Sequence, residues 1–289
     1  MVLARHGFAA KKSWGQNFLC DRNVHERIVR AVAPGPDDVV VEIGAGLGTL
    51  TSALLAGSTP PRRLLAIERD PDMLKVLHAE LGGDARVEIR AEDATFFDFA
   101  RTARDAGRPI LVVGNLPYQI TTALLFAIID AGAAVARAVV MVQRELAERV
   151  VSPPGGKIYG RLSVMVQQRM EVRRLFNVAP GAFFPRPKVV SAILSLVPRP
   201  APLAPVEDEA LFALVVKEAF GTRRKMLRRS LGDAFGDALA ATALVASGTP
   251  PTARPEELSV AEFARLAGAI AAARAPAAAP PAPVKEGGS

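Results

Sequence analysis

The residues that most narrowly define a chemistry are Asn115-Leu116-Pro117-Tyr118. The exocyclic amine of adenine is a poor nucleophile, because its lone pair is delocalised into the ring. To attack a methyl group that nitrogen must become more pyramidal, and acceptors aimed at its hydrogens favour the change. The Asn115 side-chain oxygen and the Leu116 carbonyl are two such acceptors. Pro117 stiffens the turn and fixes where the carbonyl points. Tyr118 offers a face on which an extruded base can stack. Few other functions need an Asn-apolar-Pro-aromatic order.

A second constellation runs Glu42-Ile43-Gly44-Ala45-Gly46-Leu47-Gly48. Glycines there let the backbone approach a ligand and turn sharply into a helix. The dinucleotide fingerprint needs Gly or Ala next, and the residue is Thr49. The spacing G-x-G-x-G suits nucleotide-shaped methyl-donor sites instead. Glu68 can accept from both hydroxyls of a ribose, which fits a nicotinamide cofactor or S-adenosylmethionine alike. Asp93 can accept from a cofactor's adenine amino group. Thr49 and the lack of an acid or base for hydride chemistry weigh against the nicotinamide.

The elements that must position these groups follow from periodicity. Asp21 caps a helix whose Val24, Ile28 and Val32 share one face, and Pro34-Gly35-Pro36 stops it. Short apolar runs predict strands over 39–43, 64–67, 87–89, 110–113 and 138–142. Helical patterns cover 49–56, 70–81 and 121–131. The alternation implies an α/β fold, a doubly wound parallel sheet covered on both faces. Ligands bind beyond the carboxyl ends of such strands, where Gly44, Glu68, Asp93 and Asn115 fall. Pro198 to Pro205 reads as a linker, and continuous helical patterns over 210–231 and 239–272 predict a small helical domain. The implied division is an arm (1–20), the α/β domain (21–199), the helical domain (206–272) and an Ala/Pro-rich, disordered tail (273–289).

The chain has 289 residues and a net charge of +7, from 36 Lys+Arg against 29 Asp+Glu. One cysteine, Cys20, excludes an internal disulfide framework, and with His6, His25 and His78 scattered no metal site is expected. Cys20 reads as a small buried residue. No apolar run reaches the ~18 residues of a membrane span, and no apolar leader is visible, so the chain reads as soluble and cytoplasmic. Nothing calls for more than a monomer. Residues 37–136 are net acidic, while 1–30, 137–174 and 175–199 are basic. A polyanion docked around a separate chemical site explains that distribution. Lys217 to Leu231 carries six Lys+Arg and one Glu. With Met226, Leu227 and Leu231 turned inward, Arg223, Arg224, Arg228 and Arg229 can face phosphates. On residues alone, Lys12 to Leu19 reads as an RNA-contacting or mobile arm, and the loop Phe183 to Val189 as core packing.

Taken together these segments resemble the small-subunit ribosomal RNA adenine dimethyltransferase family (KsgA/RsmA). The resemblance runs from about Lys11 to Ile270. It rests on Gly15 to Leu19, Glu42 to Gly48, Asn115 to Tyr118, Tyr159 to Val164, Phe183 to Val189 and Glu218 to Lys225. It implies a Rossmann-like class I methyltransferase domain with a small C-terminal α-helical domain. It also implies dimethylation, from S-adenosylmethionine, of two adjacent adenosines in the loop of the 3′-terminal hairpin of 16S rRNA. Under the resemblance Asn17, Leu19, Gly44, Gly46, Glu68, Asp93 and Asn115 bind the cofactor. Asn115, Leu116, Pro117 and Tyr118 hold the adenine, with Phe183 stacking on it. Lys11, Lys12, Arg223, Arg224, Lys225, Arg228 and Arg229 contact RNA in the small (30S) subunit. Three departures stand out: Ala45 where proline is common, Trp14 before Gly15, and Gln119 where asparagine is common. None removes a functional group. The rivals are a large-subunit (erythromycin-resistance type) methyltransferase and a non-catalytic assembly factor.

Overall fold

The computed structural model describes residues 5–8, 10, 11, 16–221 and 225–274. They form two compact units, Met1–Leu203 and Ala204–Ser289. In the first, a short strand β1 (Phe18–Leu19) precedes α1 (Arg22–Val32), β2 (Val39–Ile43), α2 (Thr49–Leu55), β3 (Arg63–Glu68) and α3 (Pro71–Leu81). Then come β4 (Val87–Ala91), α4 (Phe99–Ala106), β5 (Ile110–Asn115), α5 (Thr121–Ala131) and β6 (Val135–Gln143). The unit ends with α6 (Arg144–Val151), α7 (Arg161–Arg169), β7 (Met170–Val178), β8 (Phe183–Phe184) and β9 (Ser191–Pro198).

Seven strands form one sheet in the order β4-β3-β2-β5-β6-β9-β7. The five from β4 to β6 are parallel, the doubly wound half expected from the alternation. β2 reads as a continuous apolar run because helices cover both its faces; each of its residues is 2 % exposed or less. Asp21 caps α1 by accepting from the N–H groups of Asn23 and Val24, and Ala33 ends it in the left-handed region.

The sheet is mixed rather than parallel throughout. β9 pairs antiparallel with β6 and with the edge strand β7. β7 (Met170–Val178) is studded with charge and bares alternate residues, so its pattern lacks the apolar run of an interior strand. β9 runs through Pro198, so the proline-rich stretch begins inside the sheet. β8 pairs with β1 as a separate ribbon, Leu19 opposite Phe183 and Phe18 opposite Phe184.

The second unit holds α8 (Glu209–Gly221), α9 (Leu227–Phe235), α10 (Asp237–Ala246) and α11 (Val260–Arg274). Its core is Phe212, Val215, Leu231, Leu244, Phe263, Leu266 and Ile270. The two long helices expected here are four. Met226 is extended at the N-cap of α9, and Gly248 at φ +69° precedes Pro250 and Pro251, which lack the donor a helix needs. Met226 is 48 % exposed, not turned inward, whereas Leu227 and Leu231 are fully buried. α11 runs to Arg274, past the expected start of the tail, and residues 275–289 lie outside the described ones. Among the described residues no helix is long and apolar enough to cross a membrane.

Candidate active site

The carboxyl ends of the parallel strands open into a cavity of about 220 Å³ lined by Asn17, Leu19, Gly44, Gly46, Glu68, Asp93 and Asn115 through Tyr118, among others. The parallel register brings them to one edge although they lie far apart in sequence. The turn from β2 into α2 uses three left-handed glycines, Gly44 (φ +69°), Gly46 (φ +55°) and Gly48 (φ +72°). Space is tight as well. A Cβ on Gly46 would meet Phe18 at 3.2 Å, and one on Gly48 would meet Leu81 at 2.5 Å. Ala45 donates its N–H to the Ile67 carbonyl at 3.1 Å, a bond that a proline there could not make.

Glu68 and Asp93 are already organised. The Glu68 carboxylate accepts from the N–H groups of Gly46, Arg69 and Asp70 at 2.8–2.9 Å. One oxygen thus carries two bonds and the other a single bond, leaving it able to accept from a ribose hydroxyl. Asp93 accepts from the Thr95 hydroxyl and N–H and from Arg69. Those bonds, the Thr95 hydroxyl foremost, hold its carboxyl below the ordinary range.

The amide of Asn115 is oriented from 98 residues away: its Nδ2 donates to the Asn17 carbonyl at 3.0 Å. The Asn115 Oδ1 therefore keeps its acceptor capacity for the cavity. Leu116 is fully buried and donates its N–H to the Met141 carbonyl at 3.0 Å, which fixes the peptide between Asn115 and Leu116. Pro117 opens the turn that leads into α5, its carbonyl accepting from the Ile120 N–H and the Thr121 hydroxyl. The Tyr118 hydroxyl is 3.1 Å from the Ser191 hydroxyl on β9, so the antiparallel strand absent from the sequence reading anchors the ring.

The arm is held from below. Asp70 caps α3, is fully buried, and accepts from Lys11 Nζ at 2.8 Å and Gln16 Nε2 at 2.6 Å. Burial alone would raise its pKa, but those bonds and the Asp72 N–H outweigh it and hold the carboxyl below the ordinary range. Lys11 also pairs with Asp72 at 2.6 Å. The ammonium expected at RNA thus also neutralises two carboxylates of the fold, one of them buried. Gln16, Asp70 and Ser191 were not singled out in sequence; the partners each joins lie 54 to 73 residues apart.

Phe183 is not among the cavity-lining residues. Its ring is 5 % exposed and sits in the apolar cluster with Leu19, Val178 and Ile193. Pairing opposite Leu19 turns it inward, so the next residue, Phe184, faces out at 47 % exposure. Cys20 is exposed rather than buried, since it follows the ribbon strand at the surface; its N–H donates to the Ala182 carbonyl and its thiol to the Phe18 carbonyl. In the second unit Arg228 is exposed, while Lys225 and Arg229 lie 3.4 and 3.9 Å from Asp233. Lys12, Arg223 and Arg224 lie outside the described residues.

Two further cavity-lining groups carry no role in the sequence reading. His25 is buried, its Nε2 has no hydrogen-bond partner, and burial lowers its pKa. Glu42 is 2 % exposed and accepts from the Thr51 hydroxyl at 2.5 Å. Burial, reinforced by nearby Glu68, pushes its carboxyl up to about 8.

The family model for ribosomal RNA adenine dimethylase matches residues 7–271. The chain is 45 % identical over 275 residues to the ribosomal RNA small subunit methyltransferase A of Anaeromyxobacter sp. (strain K), covering 92 % of this chain and 95 % of that one. Among solved structures it resembles the 23S rRNA methyltransferase ErmE at a TM-score of 0.65 and 26 % identity, over 88 % of this chain and 99 % of that one. It also resembles a dimethyladenosine transferase from Plasmodium falciparum at a TM-score of 0.69 and 24 % identity, over 86 % and 95 % of the two chains.

Proposed function

The chain belongs to the ribosomal RNA adenine dimethylase family, and from that premise we propose that it places two methyl groups on N6 of each of two adjacent adenosines in the 3′-terminal hairpin loop of 16S rRNA. The setting is the small (30S) subunit or its precursor in the cytoplasm, with the protein acting as a monomer and contributing to subunit biogenesis. The observation that carries this reading is the Asn115 amide, pinned by the Asn17 carbonyl at the wall of a cavity also lined by the glycine loop and Glu68.

The donor set fits S-adenosylmethionine. Gly44, Gly46, Leu19 and Asn17 would enclose it, Glu68 would accept from its ribose, and Asp93 from its adenine amino group. When bound it supplies an electrophilic methyl group on a sulfonium. The Asn115 Oδ1 and the Leu116 carbonyl draw the two N6 hydrogens of the target adenine and turn its lone pair toward that methyl. Held so, the N6 lone pair would face the methyl that the cofactor supplies, and the surplus N6 proton would leave to solvent. Positioning and aligned acceptors supply the acceleration, with no strong general base. Tyr118, braced by Ser191, offers its ring to the extruded base, and Phe183 stiffens the wall beside Leu19. Lys225, Arg228 and Arg229, with Lys12, Arg223 and Arg224, would meet phosphates, so subunit binding should weaken steeply with salt.

The small-subunit substrate is favoured over the large-subunit one by the 45 % identity to a small-subunit enzyme against 26 % to ErmE. The test is methyl incorporation from labelled S-adenosylmethionine into small subunits lacking the modification, with naked large-subunit rRNA and the Asn115→Ala variant alongside. Dimethyladenosine confined to small-subunit RNA and lost in the variant is the expected result. Incorporation into large-subunit RNA alone would overturn the substrate, and full activity in Asn115→Ala would overturn the mechanism.

A further inference from the structure

Glu42 is the penultimate residue of β2, a strand that points at the cavity, yet the reaction above makes no use of it. It is 2 % exposed and lines the cavity, and among the described residues its carboxyl accepts one hydrogen bond, from the Thr51 hydroxyl on α2. In the sheet its neighbours are Ala66 on β3 and Val113 on β5, neither of which titrates. Glu68, at the end of β3, adds a second negative charge. Among the described residues, the other charged or titratable groups lining the cavity are His25, Arg69, Glu92, Asp93 and the Tyr118 phenol. Arg69 is paired with Asp93 at 2.8 Å. His25 is held neutral by burial, with Asp21 opposing more weakly. A carboxyl group enclosed in this way has no cation to balance it until a ligand brings one.

We infer that Glu42 reads the charge of whatever occupies the cavity: it releases its proton to solvent when a cationic ligand binds and takes a proton back when the ligand's positive charge is lost. The inference rests on the S-adenosylmethionine reading. That cofactor carries a sulfonium and an α-ammonium against one carboxylate, a net charge of +1, and its product has lost the sulfonium charge. Glu42 is thus a specificity-determining residue that favours substrate cofactor over product. Burial, which holds the empty-site carboxyl neutral near pH 7, supplies the proton to be released. Loss of the charge at the sulfur then loosens the product without any movement of the loop.

The test is titration calorimetry of the full chain with S-adenosylmethionine and with S-adenosylhomocysteine, in buffers matched in pH but differing in ionisation enthalpy. The α-ammonium of both ligands titrates in the same range, so the difference between wild type and Glu42→Gln carries the result. Near pH 7 the wild type should release nearly one proton more per S-adenosylmethionine bound than the variant does. That excess should vanish by about pH 9, and it should be smaller for the product. Affinity for the cationic ligand should rise about tenfold per pH unit below about pH 8, and this slope should be absent in the variant. Thr51→Val provides a second variant that keeps the carboxyl group but removes the hydrogen bond from the Thr51 hydroxyl. It should move the midpoint of proton release to higher pH. Binding with equal proton release in wild type and Glu42→Gln, or for both ligands, overturns this inference alone. Failure of both ligands to bind overturns the cofactor reading with it.

Discussion

Gln16→Leu tests the way the arm controls the site. Its amide joins two things: Oε1 accepts from the Lys11 N–H at 2.9 Å and Nε2 donates to buried Asp70 at 2.6 Å. Leucine keeps the bulk and loses both bonds. A neutral backbone bond contributes about 1 kcal/mol, and a bond to a carboxylate about 1.5 kcal/mol, taken at the low end because Asp70 keeps Lys11 and the Asp72 N–H. Gln16 is only half-buried, so water recovers part of this, leaving a loss of about 2 kcal/mol in arm docking. The arm carries the Asn17 carbonyl that orients Asn115 and the Leu19 wall. Cofactor affinity measured by calorimetry should therefore fall about 30-fold, and amide hydrogen exchange should speed up over 16–20. The salt dependence of subunit binding should stay unchanged. In the companion variant Lys11→Met, cofactor affinity should fall while that salt dependence again holds, because the ammonium serves Asp70 and Asp72. If the cofactor affinity of Gln16→Leu stayed within about twofold of the parent, the arm would not be the device described. A salt slope reduced by about one in Lys11→Met, with cofactor affinity intact, would return that lysine to the phosphates.

Gly46→Ala forces a left-handed alanine at φ +55° against Phe18; at about 1–2 kcal/mol, calorimetry should show cofactor binding roughly 5- to 30-fold weaker. Phe183→Ala should destabilise the fold by about 3–5 kcal/mol in denaturant unfolding, because the ring belongs to the core. Phe184→Ala should leave stability within about 0.5 kcal/mol and lower turnover on RNA; the reverse pattern would show that Phe183 is the exposed contact. For Glu42 the pKa of the folded state lies above that of the unfolded chain, so the folded apoprotein binds more protons. Its melting temperature should therefore fall as pH rises from the ordinary glutamate value of 4.5 toward about 8. That slope should be flatter in Glu42→Gln, and an unchanged slope would mean the carboxylate is solvated.

The catalytic edge was legible in the chain because its determinants are local. An apolar run ending in Gly44, Glu68 or Asn115 carries its own strand, and the rule that parallel strands present their carboxyl ends together places those residues at one cavity. The glycine spacing specifies a turn through backbone conformation alone. The antiparallel strands β9 and β7 were not legible, since β7 is a charged edge whose pairing partner lies beyond the Phe183 loop. Residue types could not decide which of Phe183 and Phe184 faces the core; the one-residue register of β8 against β1 decides it. Lys11 is a surface cation by sequence and an arm latch by structure, because folding buries Asp70 beneath it. Glu42 is an ordinary glutamate until the sheet and α2 remove its water. The chain's local periodicity thus determined the elements of the parallel half and the edge on which chemistry occurs. Only tertiary contacts between residues tens to about a hundred apart, such as Asn17 with Asn115, settled the orientation and protonation of the groups there, because burial and hydrogen-bond partners do not exist before the chain has folded.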